Sequence, residues 1–150
     1  MKRHFLPLLF LISSICSSQT QNKTISDYDK LIKYNPTEMS NYYNRGLLKA
    51  DEADFTGAIS DFDVVVKNDE KNINALYNRA LAKAEINDAN GAIKDLSEIL
   101  KFDSNNSDVY FKRSFLNATI GNRSQACLDA KKASSLGSLD AESLISMLCN

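Results

Sequence analysis

Two short blocks of this sequence recur at one spacing, and that recurrence limits the possible folds more than any other feature. Asn41-Tyr42-Tyr43-Asn44-Arg45-Gly46, Ala75-Leu76-Tyr77-Asn78-Arg79-Ala80 and Val109-Tyr110-Phe111-Lys112-Arg113-Ser114 align without gaps, 34 residues apart each time. Gly57-Ala58-Ile59-Ser60-Asp61-Phe62, Gly91-Ala92-Ile93-Lys94-Asp95-Leu96 and Gln125-Ala126-Cys127-Leu128-Asp129-Ala130 hold the same offset. Chance is a poor explanation for two independent blocks on one period. Such a period marks stacked units, each burying its apolar face only against its neighbours.

Each unit has two helix-like halves. Gly46, Ala80 and Ser114 place a small residue in the first half, and Ala58, Ala92 and Ala126 do so in the second. Two helices crossing at about 8–10 Å leave no room there for large side chains. Tyr42, Leu76 and Tyr110 open the first halves. Phe62 and Leu96 fill a large apolar place in the second, but Ala130 replaces them in the third unit, which predicts a looser third unit. These features, the period and the helix-ending Asn35-Pro36 closely resemble tetratricopeptide repeats. The resemblance covers residues 24–150. It implies an all-α fold, a right-handed superhelical stack of antiparallel helix pairs.

The spacing predicts helices over 24–34, 39–52, 55–67, 73–86, 89–101, 107–120, 123–135 and 140–149. The first is the second helix of an incomplete repeat, because Asp27-Tyr28 aligns with Asp61-Phe62 and Leu31 with Val65 and Ile99. Pro36 cannot continue it, lacking an N–H and clashing with the preceding turn. The division is a half repeat over 24–38, repeats over 39–72, 73–106 and 107–137, and a capping helix over 140–149. Ser107 or Asn106 is the N-cap of the sixth helix. Leu136-Gly137-Ser138 stops the seventh, and Ala141, Leu144, Ile145 and Leu148 recur at helical spacing in the cap.

The N-terminus is of another kind. Lys2 and Arg3, the apolar run from Phe5 to Ile12 interrupted only by Pro7, and the small polar stretch from Ser13 to Ser18 follow the order of a secretory signal peptide. The run is about half of the ~20 residues that span a bilayer. Residues 1–18 are therefore expected to be removed, with 19–23 a flexible start to an exported, periplasmic or secreted chain. An N-terminal membrane helix is the competing reading. A lipid on Cys16 is disfavoured by Ile15, since a lipoprotein signal has a small residue there. Losing Lys2 and Arg3 leaves 16 Lys+Arg against 19 Asp+Glu, a net charge of −3. Nothing in that balance marks a nucleic-acid binder.

His4 is the only histidine and leaves with the signal, removing the commonest general base and metal ligand. No carboxylate, lysine or tyrosine pair stands apart from the repeat, and five glycines supply no phosphate loop. No catalytic residue, metal site or cofactor is expected. Cys127 and Cys149 have no ligand cluster. In an exported chain they could pair, but the preferred reading is two free thiols, with Cys127 standing where the other repeats have Ile59 and Ile93. The triplets Asn22-Lys23-Thr24 and Asn117-Ala118-Thr119 read as accidents of an Asn-rich chain rather than glycosylation sites.

The resemblance places Tyr43, Tyr77 and Phe111 on the concave side, with Leu47, Leu81 and Phe115 a turn later and Asn44, Asn78 and Lys112 between them. Aromatic side chains are enriched at binding hot spots, so these nine residues are the candidate ligand-binding set for a protein or peptide. Burial against neighbouring repeats is the competing reading. Some members of the family grip a chaperone tail's terminal carboxylate; the corresponding places here are Tyr43, Leu47, Asn78, Asp108 and Lys112. Only Asn78 and Lys112 suit that role, and Asp108 would repel the ligand. The implied function is a binding module, monomeric alone and without a membrane span once the signal is gone. The alternative is a structural subunit or assembly scaffold of a cell-envelope complex.

Charges recur too. Arg45, Arg79 and Arg113 lie in the first helices, and Asp27, Asp61, Asp95 and Asp129 in the second, all on the 34-residue period. The preferred reading is a structural ion-pair ladder, each arginine set between the aspartate of the preceding second helix and that of its own repeat. Gripping an acidic ligand and plain solvent exposure are the other two readings.

Overall fold

The computed structural model describes residues 23–149. The expected signal segment 1–18, with Cys16 and Asn22, lies outside the described residues. Eight helices are described: α1 Ile25–Tyr34, α2 Met39–Asp51, α3 Phe55–Asn68, α4 Ile73–Glu85, α5 Ala89–Phe102, α6 Ser107–Thr119, α7 Arg123–Ser135 and α8 Ala141–Leu148. α2 and α3, α4 and α5, and α6 and α7 are the three antiparallel pairs, and each pair also packs on the next. α1 is the half repeat and α8 the cap, so the expected architecture is the observed one, with boundaries shifted by a residue or two.

Local chemistry sets the helix ends. The side chains of Asp54, Asp88 and Asn122 accept from the backbone N–H three residues on, as do Asn72 and Asn106 in α4 and α6. Asn106, rather than Ser107, is therefore the cap. Substituting such a cap by alanine typically costs ~1 kcal/mol. A Cβ on Gly57 would lie 2.0 Å from the Asp54 carboxylate, so the carboxylate takes a place that only glycine leaves open; in α7, where Asn122 is the cap, Gln125 stands at the equivalent position. Within each pair the turn passes through one left-handed residue: Ala53 and Asn87, both at φ 62°, and Gly121 at φ 80°. Only the last is free of Cβ strain.

The core runs between the pairs. Val65, Leu76, Ala80, Leu96, Ile99 and Val109 form one buried cluster, and Ala58, Phe62 and Ala82 another. Burying each of the larger side chains contributes about 1.5–3 kcal/mol. Phe62 lies under Gly46, where a Cβ would come within 2.8 Å of the ring. In the next repeat the corresponding residues are Leu96 and Ala80, and in the third Ala130 and Ser114. As the second-helix residue shrinks, the first-helix residue gains atoms. The compensation is only partial in the third repeat, whose pair has fewer side-chain atoms than either of the others, in keeping with the expected smaller filling there. Ser114 and Ala130 are both sealed from solvent, and the Ser114 hydroxyl donates to the Ala126 carbonyl at 2.8 Å.

Cys127 and Cys149 are joined in a disulfide with their Cα atoms 5.3 Å apart. This corrects the expectation of free thiols. The aligned positions Ile59 and Ile93 suggested a small apolar filler, but the fold brings the end of α8 back over α7. Asn117 is buried and hydrogen-bonded to the Arg113 carbonyl, as befits a structural asparagine.

Candidate functional site

The arginines are the best-defined polar feature. Arg45 Nε and Nη2 donate to the two oxygens of Asp61 at 2.9 and 2.6 Å. Arg79 forks Asp95 in the same way at 2.8 and 2.7 Å, and Arg113 forks Asp129 at 2.8 and 2.7 Å. The three aspartate side chains are only 3–4% exposed. Each arginine thus meets the aspartate of its own repeat, as expected.

The other half of the expected ladder is corrected. Arg45 Nη1 reaches Asp29 at 2.7 Å, Arg79 Nη1 reaches Asp63 at 2.7 Å, and Arg113 Nη1 reaches the Ser97 hydroxyl at 3.0 Å. None of them bridges to Asp27, Asp61 or Asp95 of the preceding helix. Successive residues are turned by about 100° around a helix, so residues two apart face different neighbours. Asp61 faces its own repeat and Asp63 faces the next. Asp27 instead closes a capping box with Thr24 at the start of α1. The backbone and hydroxyl donors of Thr24 hold its carboxyl below the usual range.

Lys49 and Lys83 complete the network, 2.9 and 2.8 Å from Asp61 and Asp95. Two cations and two carboxylates therefore balance in each of the first two repeats. In the third, Asn117 stands where those repeats have lysine, and Ser97 replaces the second aspartate. Both changes fall together, and the buried cluster stays neutral. Burial works against the charge on Arg79, but the bonds to Asp95 and then Asp63 raise it above the ordinary arginine value; Arg45 is raised chiefly by its bond to Asp61. The arginines are bound within the stack and do not point into a groove.

The tyrosines link neighbouring first helices. The Tyr43 hydroxyl accepts from Asn78 Nδ2 at 2.9 Å, and its ring lies tilted on Phe62 at 5.8 Å. Asn78 Nδ2 also donates to the Asn74 carbonyl. The Tyr77 hydroxyl donates to the Asp108 carboxylate. Burial, and then that carboxylate, push its phenol above the ordinary value. Leu47 packs against the Phe62 cluster. Asn44 and Phe111 are half-buried on the same helices.

Two openings lie between successive first helices. One, of 180 Å³, is lined by Ala80, Leu81, Ala84 and Glu85 of α4, Leu96 of α5, and Lys112, Phe115 and Leu116 of α6. Leu81 is 37% exposed and Phe115 55%. The other, of 270 Å³, lies between α2 and the start of α4 and includes Tyr43, Met39 and Val65. Of the nine candidate residues, Leu81, Lys112 and Phe115 are brought together around one opening, while Tyr43 lines the second. Ala84, Glu85 and Leu116 were missed, though Ala84 and Glu85 follow Leu81, and Leu116 follows Lys112, at one-turn spacing. Asp29, Asp63, Lys49 and Lys83 were also missed, although their 34-residue recurrence was there to be read.

No family model and no curated protein sequence matches this chain. Solved structures do. A crystal structure of MamA aligns with a TM-score of 0.79 at 21% identity, covering 83% of this chain and 74% of MamA. The second TPR domain of human RPAP3, solved by NMR in complex with the HSP70 peptide SGPTIEEVD, aligns with a TM-score of 0.67 at 22% identity. That match covers 73% of this chain and 92% of the domain. At this identity the likeness establishes the fold: the protein is a helical-repeat solenoid of the tetratricopeptide type.

Proposed function

We propose that this protein is an exported, non-enzymatic binding module that takes a peptide or partner segment along its first helices. The observation that carries the reading is the apolar opening between α4 and α6, where Leu81 and Phe115 stay exposed beside Lys112. An apolar recess edged by a few polar groups suits one anchoring side chain of a partner. The peptide complex of the RPAP3 domain supports this use of the fold. Phe115→Ala is expected to weaken partner affinity about 30-fold, on the order of 2 kcal/mol, with unchanged far-UV circular dichroism. The partner is to be recovered by cross-linking in envelope extract and titrated calorimetrically. Unchanged affinity would move the site off this opening.

Two features support export. The first is the order of basic, apolar and small residues over 1–18. The second is the disulfide, a bond that persists in oxidising compartments and is rare in a reducing cytosol. N-terminal sequencing of the native protein is expected to begin at Gln19. An intact Met1 terminus would sink the proposal, and a lipid on Cys16 would replace it with an anchored form.

A further inference from the structure

We propose that the Cys127–Cys149 disulfide is an exchange site for a dithiol reductant, and that its reduction releases α8 from the end of the stack. α8 has eight residues and no side-chain N-cap, and it buries only Ala141 and Leu144. A helix this short has little stability of its own in water. α8 packs on α7 and α6, and polar and covalent attachments to α7 lie near its two ends. Ser134 donates to Glu142 at 2.6 Å near the start. At the far end Arg123 donates to the carbonyls of Met147 and Leu148 at 2.8 and 3.0 Å, and Cys149 is bonded to Cys127. The disulfide is the only covalent one among these.

It is also within reach. Both cysteines are half-buried and border an open cleft of 390 Å³ with Arg123, Ser124, Leu128 and Leu148. A reductant's thiolate attacks one protein sulfur, forming a mixed disulfide and expelling the other cysteine as a thiolate. The reductant's second thiol then attacks its own sulfur in that mixed disulfide. The products are a cyclic oxidised dithiol and two protein thiols, with two electrons and two protons transferred to the protein. Without the cross-link the chain between the cysteines, 22 residues in sequence separation, regains its freedom. α8 then leaves α7, where Ala126, Ala130 and Ala133 are sealed from solvent in the closed form. Redox state thereby sets whether the C-terminal end is capped or offers an apolar face beside the exposed Leu128.

The test uses the purified oxidised protein at neutral pH without denaturant. Millimolar dithiothreitol is added, the mass gain of two hydrogens is followed, and hydrogen exchange is read by mass spectrometry. Reduction is expected to go to completion. Amides of α8 should lose protection by at least roughly tenfold, while those of α4 and α5 keep theirs. The C127S/C149S variant should show the same α8 exchange with no reductant. A disulfide that resists dithiothreitol until the protein is denatured would overturn the exchange site. Full reduction with unchanged α8 protection would overturn the release.

Discussion

Arg113→Leu is expected to destabilise the third repeat by about 4 kcal/mol, more than the equivalent change in either other repeat. Removing one partner of a buried ion pair typically costs about 3–5 kcal/mol, because the remaining charge is left in a poorly solvating site. The cost depends on what else serves the stranded carboxylate. Arg79→Leu leaves Asp95 with Lys83 at 2.8 Å, and Arg45→Leu leaves Asp61 with Lys49 at 2.9 Å. After Arg113→Leu, Asp129 keeps only amide donors, Gln125 at 3.1 Å and Asn117 at 3.5 Å. Arg79→Leu should therefore cost nearer about 2 kcal/mol. Adding Asp129→Asn to Arg113→Leu removes the stranded charge and should recover more than half of the loss. Hydrogen-exchange protection, read with the disulfide intact at α6 and α7 amides for the two Arg113 variants and at α4 and α5 amides for Arg79→Leu, compares all three. Equal losses for Arg113→Leu and Arg79→Leu would show that the lysines contribute nothing. No recovery in the double variant would mean that the loss is one of side-chain contact rather than charge.

Phe62→Ala is expected to cost about 4 kcal/mol, the range for emptying a buried aromatic site. The ring is fully buried and lies under the backbone of Gly46. A sharper experiment exchanges the first repeat's pair for that of the second. Gly46→Ala alone puts a methyl against the ring. Overpacking of this kind costs about 1–3 kcal/mol, partly offset by the roughly 1 kcal/mol that alanine adds to a helix. Phe62→Leu alone leaves a cavity and should lose about 1.5 kcal/mol. Together they recreate Ala80 over Leu96, so urea midpoints should place the double variant within about 0.5 kcal/mol of the parent. A strictly additive double variant would show that the two positions do not share one volume.

Much of the molecule was legible because a solenoid is built from local units. The 34-residue period, the small residues at the crossings and the cap at Asn106 are all properties of short stretches of chain. They determine where each helix starts, which neighbour it meets, and that Arg45, Arg79 and Arg113 pair with Asp61, Asp95 and Asp129. Repetition itself made these legible, since three copies of one environment appear as three copies of one residue choice.

What the sequence by itself did not decide depends on angle and on non-repeating contacts. Whether Arg79 turns its third nitrogen to Asp61 or to Asp63 is a matter of helix rotation, and only the assembled stack sets it. The same holds for Tyr43 and Tyr77, whose hydroxyls bind the next first helix instead of standing free, and for Leu81 and Phe115, left exposed at the opening between α4 and α6. The disulfide is the clearest case. Cys127 sits in register with Ile59 and Ile93, so the repeat pattern reads it as one more apolar residue. Cys149 lies beyond the last complete unit, where that pattern has nothing to say. Only the return of α8 across α7 brings the two Cα atoms to 5.3 Å, the separation at which two cysteines can bond.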